Sequence, residues 1–140
     1  MYKIYLAGSF GRKAELRDYA LRLWMAGYTV VSRWLIGHHE IPDIEDPEFV
    51  ARAAEFSQAD YQNLLEADTF ILFTEDPKNP SGKNRGGRHV ELGIALERAR
   101  QNQCIAIYII GPFENAFTAH PSTVHFPDFQ TFASSQGIPE

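Results

Sequence analysis

The stretch YKIYLAGSFGRKAELRDYALRLWMAGYTVVSR, residues 2–33, decides the fold, because a short apolar run, a longer amphipathic run and a second short run follow one another. Residues 2–7 are rich in strand-forming side chains. The next segment carries apolar residues at helical spacing, namely Leu16, Ala20 and Leu23, and Gly27 follows as a stop signal. Residues 28–33 form the second predicted strand. This order is typical of a strand–helix–strand unit and favours a parallel sheet.

The rest of the chain repeats the alternation. A helix is predicted over about 48–67, with Phe49, Ala53, Phe56 and Leu64 on its buried face, and a second helix over 89–101. Strands are predicted at 69–74, 104–110 and 123–126. We therefore predict an α/β fold, a three-layer Rossmann/flavodoxin-like domain with a four- or five-stranded parallel sheet and helices on both faces.

Length and composition exclude several classes of protein. The 140 residues fit one domain, 1–140, and 44% hydrophobic residues are enough for a core. A net charge of −5 argues against a nucleic-acid partner. No apolar run is long enough to span a membrane, so we predict no membrane partner. The single Cys104, predicted to be buried in an apolar strand, forms no internal disulfide. The chain start lacks a signal-peptide pattern, so we expect a cytoplasmic protein.

Ligands of such sheets bind beyond the carboxyl ends of the strands, at the point where strand order reverses. This rule selects the segments 8–12, 32–39, 75–88 and 111–117. In the first of them, Gly8 and Ser9 precede Arg12, and exposed backbone amides beside a guanidinium form an anion site. The alternative is that the strand–helix turn simply needs a glycine.

The segment SGKNRGGRHVELG, residues 81–93, leads from a glycine-rich loop into a helix. Glu91 is predicted near the first helical turn, where the helix dipole favours the ionised carboxylate and thus a nucleophile at neutral pH. Glutamates also occur in first turns for helix stability alone.

Four blocks of sequence carry a resemblance that spans almost the whole chain. They are IYLAG (4–8), QADYQNLLEAD (58–68), GGRHVELGIAL (86–96) and GPFEN (111–115). Together they resemble the nucleoside 2-deoxyribosyltransferase family and the related 2′-deoxynucleoside 5′-monophosphate N-glycosidases. The resemblance implies that Glu91 attacks the anomeric carbon, releases the base and forms a glycosyl ester, a route that retains configuration. Water or another nucleobase then accepts the sugar.

The same resemblance implies roles for three further residues. Tyr5 would orient the Glu91 carboxylate, and Asp60 would bind or protonate the leaving base. Asp60 is about 18 Å along a helix that starts at the rim of the sheet, so the helix must overshoot or bend to keep it in the site. Asn115 would reach the substrate of a neighbouring subunit, which implies a homodimer or higher homo-oligomer. Their alternatives are a core aromatic for Tyr5 and a turn residue for Asn115.

Departures from the deoxyribosyltransferase pattern point to a nucleotide. Those enzymes carry an aspartate six residues before the nucleophile, where this chain has Arg85. Basic residues near glycines are suited to a 5′-phosphate, and the candidates are Lys83, Arg85 and Arg88, beside glycines such as Gly87, together with Arg12 across the rim. Solvated loop cations are the alternative reading.

Two more side chains near the predicted rim are candidates for contacts with a small-molecule nucleoside or nucleotide. Trp34, which follows Arg33, either stacks on the base or packs under the long loop. His89 either contacts the sugar or phosphate or caps the helix. The adjacent pair His38 and His39 lacks the spacing of a helical zinc pair, so we predict no metal. We also predict no cofactor.

Two other functions fit the same residues. One is a non-catalytic nucleotide-binding or sensor module on the same fold, which has no need of a nucleophile. The other is a glycohydrolase of another ribosyl compound, such as a dinucleotide cofactor.

Overall fold

The computed structural model describes residues 2–36, 43–78 and 86–140, and these residues form one five-stranded sheet. The strand order is β2-β1-β3-β4-β5, and every pairing is parallel. The strands are β1 (Lys3–Ala7), β2 (Thr29–Val30), β3 (Thr69–Phe73), β4 (Ala106–Ile110) and β5 (Thr123–Phe126). The predicted three-layer α/β class is confirmed.

Helices cover both faces of the sheet. They are α1 (Lys13–Met25), α2 (Phe49–Glu66), α3 (Gly87–Arg100) and α4 (Phe129–Ser135). On one face, Tyr19 of α1 stacks between Phe73 of β3 and Phe129 of α4, with ring centroids 5.3 and 4.1 Å away. On the other face, Tyr5 lies parallel to Phe70 and bonds to Glu91 of α3. Every residue of β3 is buried, as expected for the central strand of a sheet covered on both sides.

The second strand is shorter than the predicted 28–33, because side chains take over its hydrogen bonds. After Val31 N–H donates to the Ile4 carbonyl, the chain turns away into a 3-10 helix, Arg33–Leu35. The Leu6 N–H then donates to Ser32 Oγ at 2.6 Å, and Trp34 Nε1 donates to the Leu6 carbonyl at 2.8 Å. On the side of β2, the backbone of Leu6 is therefore satisfied without a neighbouring strand.

The connection between α3 and β4 corrects one prediction. Cys104 is exposed rather than buried in a strand, and β4 begins only at Ala106. Asn102 and Cys104 both adopt positive φ angles, 57° and 42°, which belong to a tight turn and interrupt an extended chain.

The length of α2 determines what it can place beside the sheet. Its 18 residues span about 27 Å, whereas the five residues of β3 span about 17 Å. The helix therefore extends about 10 Å beyond one end of the strands. Among the described residues, no helix is both long and apolar enough to cross a membrane.

Candidate active site

Strand order reverses between β1 and β3, and a polar cluster lies over these two strands. Tyr5 of β1 is fully buried, and its Oη donates a hydrogen bond to Oε2 of Glu91 on α3. The ring of Tyr5 stacks on Phe70, with centroids 6.0 Å apart. Burial, followed by the charges of Glu91 and Asp60, raises the pKa of Tyr5 well above its usual value, so its hydroxyl stays a donor.

The ionisation of Glu91 differs from the prediction. Burial raises the pKa of Glu91 to about 8; the hydrogen bond from Tyr5 lowers the pKa, and the charge of Asp60 raises it. The expectation that the helix dipole holds this carboxylate ionised is therefore wrong. Glu91 is the fifth residue of α3, and the dipole acts mainly within the first turn. Desolvation outweighs it.

Asp60 joins Tyr5 and Glu91 because α2 overshoots the sheet. Asp60 lies six residues before Glu66, the end of α2, or about 9 Å above it, which brings Asp60 level with the strands. Burial raises the pKa of Asp60 to about 6, while the charge of Arg33 lowers it. Its buried Oδ1 has no hydrogen-bond partner among the residues that the structure describes. An acceptor left without a partner there is available to a ligand.

The predicted anion segment is committed to internal contacts. A Cβ on Gly8 would lie 2.8 Å from Leu16 Cδ2, so a larger residue there would force the Leu16 side chain of α1 to shift. Ser9 is buried, and its carbonyl accepts from the Arg12 N–H at 3.0 Å. The Arg12 guanidinium donates two hydrogen bonds to Glu15, at 3.0 and 2.7 Å, and one to the Thr74 carbonyl at 2.8 Å. Its charge is already compensated within the protein.

A second network joins the start of α3 to the loop after β4. Arg88 is buried and forms an ion pair with Glu114, and His89 Nε2 lies 3.2 Å from the other oxygen of the same carboxylate. Burial, followed by the charge of Arg88, lowers the pKa of His89. Asn115 lies with its Nδ2 3.2 Å from His89 Nδ1. Its Oδ1 accepts from two backbone amides of the following 3-10 helix, Ala116–Ala119, as a cap.

In the part of the chain that the structure describes, the other residues predicted to contact the substrate do not form a single cluster with Tyr5, Asp60 and Glu91. Trp34 is 8% exposed, and its indole N–H is bound to the β1 backbone, which favours packing over stacking on a base. Gly87 opens α3, and a Cβ there would meet no atom of the described residues within 4 Å. Arg85, Lys83, His38 and His39 lie outside the described residues. Within the described ranges, no three His, Cys, Asp or Glu side chains are arranged to bind a metal.

Sequence reasoning missed the carboxylates that neutralise the predicted basic residues. Glu15 lies three residues after Arg12, a helical spacing that indicates an ion pair. Glu114 is distant in sequence from Arg88, and only its position in a loop predicted at the rim pointed to it.

Comparison with solved structures gives a match over nearly the whole chain. A 2-deoxyribosyltransferase from the psychrotolerant bacterium Bacillus psychrosaccharolyticus aligns with a TM-score of 0.64 over 93% of this chain and 89% of that chain. The chain has a 2-deoxyribosyltransferase fold. Sequence identity over the alignment is 20%. No protein-family model matches the chain, and no curated protein matches it.

The 2-deoxyribosyltransferase fold is the one that the four sequence blocks imply. Within it, Tyr5, Asp60 and Glu91 meet at the point of strand reversal, where open parallel sheets bind ligands.

Proposed function

We propose that this protein is an enzyme that cleaves the N-glycosidic bond of a 2′-deoxynucleoside or its 5′-monophosphate. The observation that carries the proposal is the cluster of Tyr5, Asp60 and Glu91, in which two carboxyl groups have separated pKa values, about 6 and about 8. Pairs of carboxyls held at different pKa values are typical of sites that use one as an acid and the other as a base or nucleophile. The shared fold and the ELG block support the same conclusion.

The reaction starts with Glu91. Its ionised carboxylate forms a bond to the anomeric carbon while the bond from that carbon to the base nitrogen breaks, and the electron pair leaves with the base. Tyr5 holds the attacking carboxylate in place through its hydrogen bond to Oε2. The carboxylate also stabilises positive charge that develops on the sugar in the transition state.

Asp60 supplies the proton that the leaving base needs. Its raised pKa keeps a protonated fraction near neutral pH, and its buried Oδ1 faces no other described partner. The reactive form of the enzyme therefore has Glu91 ionised and Asp60 protonated. Because Glu91 is the weaker acid of the two, only a minor fraction of the enzyme has this pair of protonation states. That fraction is largest near pH 7, midway between the two pKa values.

The second half of the reaction is a transfer. Water or a second nucleobase attacks the anomeric carbon of the ester, loses a proton to Asp60 and frees the Glu91 carboxylate. Both acceptors use the same residues, so transferase and hydrolase activity differ only in what occupies the base site.

The cations predicted to contact the phosphate group of a nucleotide substrate include Arg12 and Arg88. Both are paired with internal carboxylates, Glu15 and Glu114. We assign contact with a 5′-phosphate chiefly to Lys83 and Arg85, which precede Gly87 in the glycine-rich segment.

We further propose a cytoplasmic homodimer or higher homo-oligomer in which Asn115 serves the neighbouring site. Asn115 borders a groove of about 520 Å³ that contains Leu96 and Phe117, and Phe117 is 64% exposed. An exposed aromatic beside an apolar groove is suited to a second subunit.

The test is chromatographic detection of free base from the natural deoxynucleosides and their 5′-monophosphates, each with and without a second base. Release from monophosphates alone indicates an N-glycosidase, and exchange that requires the second base indicates a transferase. Glu91→Gln abolishes turnover, whereas Glu66→Gln, at the exposed end of α2, preserves it. Mass spectrometry of a quenched reaction detects the sugar on the peptide that contains Glu91. Absence of base from every substrate refutes the proposal and favours a binding module.

A further inference from the structure

Arg33 is held in a fixed place beside α2 by a buried side chain. Asn63 of α2 is 2% exposed. Its Oδ1 accepts two hydrogen bonds from Arg33, one from the backbone N–H at 3.2 Å and one from the side-chain Nε at 3.3 Å. A side-chain amide that binds a backbone and a guanidinium nitrogen of the same residue restricts how the arginine is oriented.

Asn63 lies three residues after Asp60, and residues at this spacing are neighbours on one face of a helix. The anchored guanidinium is close enough to the Asp60 carboxyl for its charge to lower the pKa of that carboxyl. Neither Nη group of Arg33 has a hydrogen-bond partner within residues 2–36, 43–78 and 86–140. The side chain is exposed. Through Asn63, Arg33 thus brings two unused donors to the part of α2 that carries the unpartnered acceptor Oδ1 of Asp60.

We propose that Arg33 recognises the base and makes the site selective for 6-oxopurines over 6-aminopurines, with Asn63 as its positioning residue. This inference rests on the proposed function, in which Asp60 serves the leaving base. On a purine, N7 and the C6 substituent lie side by side on one edge. With Asp60 donating its proton to N7, the neighbouring guanidinium faces C6. A guanidinium only donates, so it binds a carbonyl oxygen there and finds no acceptor in an amino group.

The experiment compares kcat/KM for 2′-deoxyinosine and 2′-deoxyadenosine, or for their 5′-monophosphates where the enzyme cleaves those. The wild-type protein prefers the 6-oxo substrate. Arg33→Ala lowers kcat/KM for that substrate by roughly 5- to 150-fold, the range of one good contact to a base edge, and changes the 6-amino substrate little. Arg33→Gln brings the ratio close to one, since an amide both donates and accepts.

Two further variants separate recognition from a structural effect. Arg52→Ala removes an exposed cation of α2, the helix that carries Asp60 and Asn63. Arg52 Nε lies 3.9 Å from Glu48 Oε2, and its removal leaves the substrate ratio unchanged. Asn63→Ala keeps the charge of Arg33 but frees its side chain, so the ratio falls part of the way. Circular dichroism checks that each variant is folded.

Four results overturn the inference. A wild-type preference for 2′-deoxyadenosine does so, as does a ratio that Arg33→Ala leaves unchanged. Release of base from pyrimidine nucleosides alone also overturns it while the proposed function stands. Failure of all natural deoxynucleosides and their monophosphates to release base overturns both.

Discussion

Replacing Tyr5 with Phe removes one hydroxyl from the site and little else. The ring remains stacked on Phe70 in the core, and the hydrogen bond to Glu91 Oε2 is lost. Because that bond lowers the pKa of Glu91, its loss raises the pKa above about 8. The variant therefore holds less of the ionised nucleophile at every pH near neutrality.

The size of the effect follows from the strength of the bond. A hydrogen bond to a charged group contributes about 1.5–3 kcal/mol, which corresponds to roughly 1–2 pKa units. With the pKa of Asp60 at about 6, the maximum of kcat/KM moves from about pH 7 to about pH 7.5–8. The maximum itself falls by about 10- to 100-fold, because the reactive form becomes rarer.

The assay is kcat/KM between pH 5 and 10 for wild type, Tyr5→Phe and a matched control. Tyr19→Phe is that control, since Tyr19 also donates to a glutamate, Glu15, at 2.7 Å, but on the opposite face of the sheet. The control keeps the wild-type profile. A Tyr5→Phe profile that is uniformly lower, with its maximum still at pH 7, refutes the reasoning, because the hydroxyl then does not set the ionisation of Glu91.

Three further variants are expected to show defined effects. Asp60→Asn removes the proton donor, so kcat/KM falls about 10²- to 10⁴-fold and rises with pH to a plateau; a profile that keeps its descending limb contradicts the assignment. Glu91→Gln stabilises the fold at pH 7 by up to about 3 kcal/mol in urea unfolding, because the native carboxyl, with a raised pKa, binds a proton that the unfolded chain has released. Native stability of the wild type thus falls as pH rises from about 4.5 to about 8, so the advantage of the variant vanishes at low pH, and an advantage independent of pH contradicts the cause. Gly111→Ala destabilises by at least about 2 kcal/mol in the same assay, since φ is 118° and a Cβ would lie 2.4 Å from Thr74 Oγ1; unchanged stability would show that the β4 turn adapts.

Periodicity predicted the layers of this fold well because the apolar faces of its helices are regular. Leu16 and Leu23 of α1 are fully buried as predicted, and the all-parallel sheet follows from the strand–helix alternation. The errors fall where tertiary contacts replace local preference. The length of β2 depends on side chains of Ser32 and Trp34, and the apolar run that contains Cys104 begins in a turn.

The candidate site was only partly predictable for a similar reason. The ELG block located Glu91, and the resemblance located Tyr5 and Asp60, but no local pattern gives the ionisation of these groups. Their pKa values depend first on burial, which arises from the packing of α2 and α3 over β1. The partners of Arg12 and Arg88 likewise depend on which carboxylates the fold brings near, and those roles in substrate binding stay predictions.

The way in which the backbone of β1 is completed also bears on aggregation. An unpaired strand edge is a template on which another chain can add a strand. Beyond Val30, the N–H and carbonyl of Leu6 are occupied by a serine hydroxyl and an indole, neither of which continues a ladder. Trp34 therefore protects the unpaired edge of β1 from pairing with another chain at the point where β2 ends.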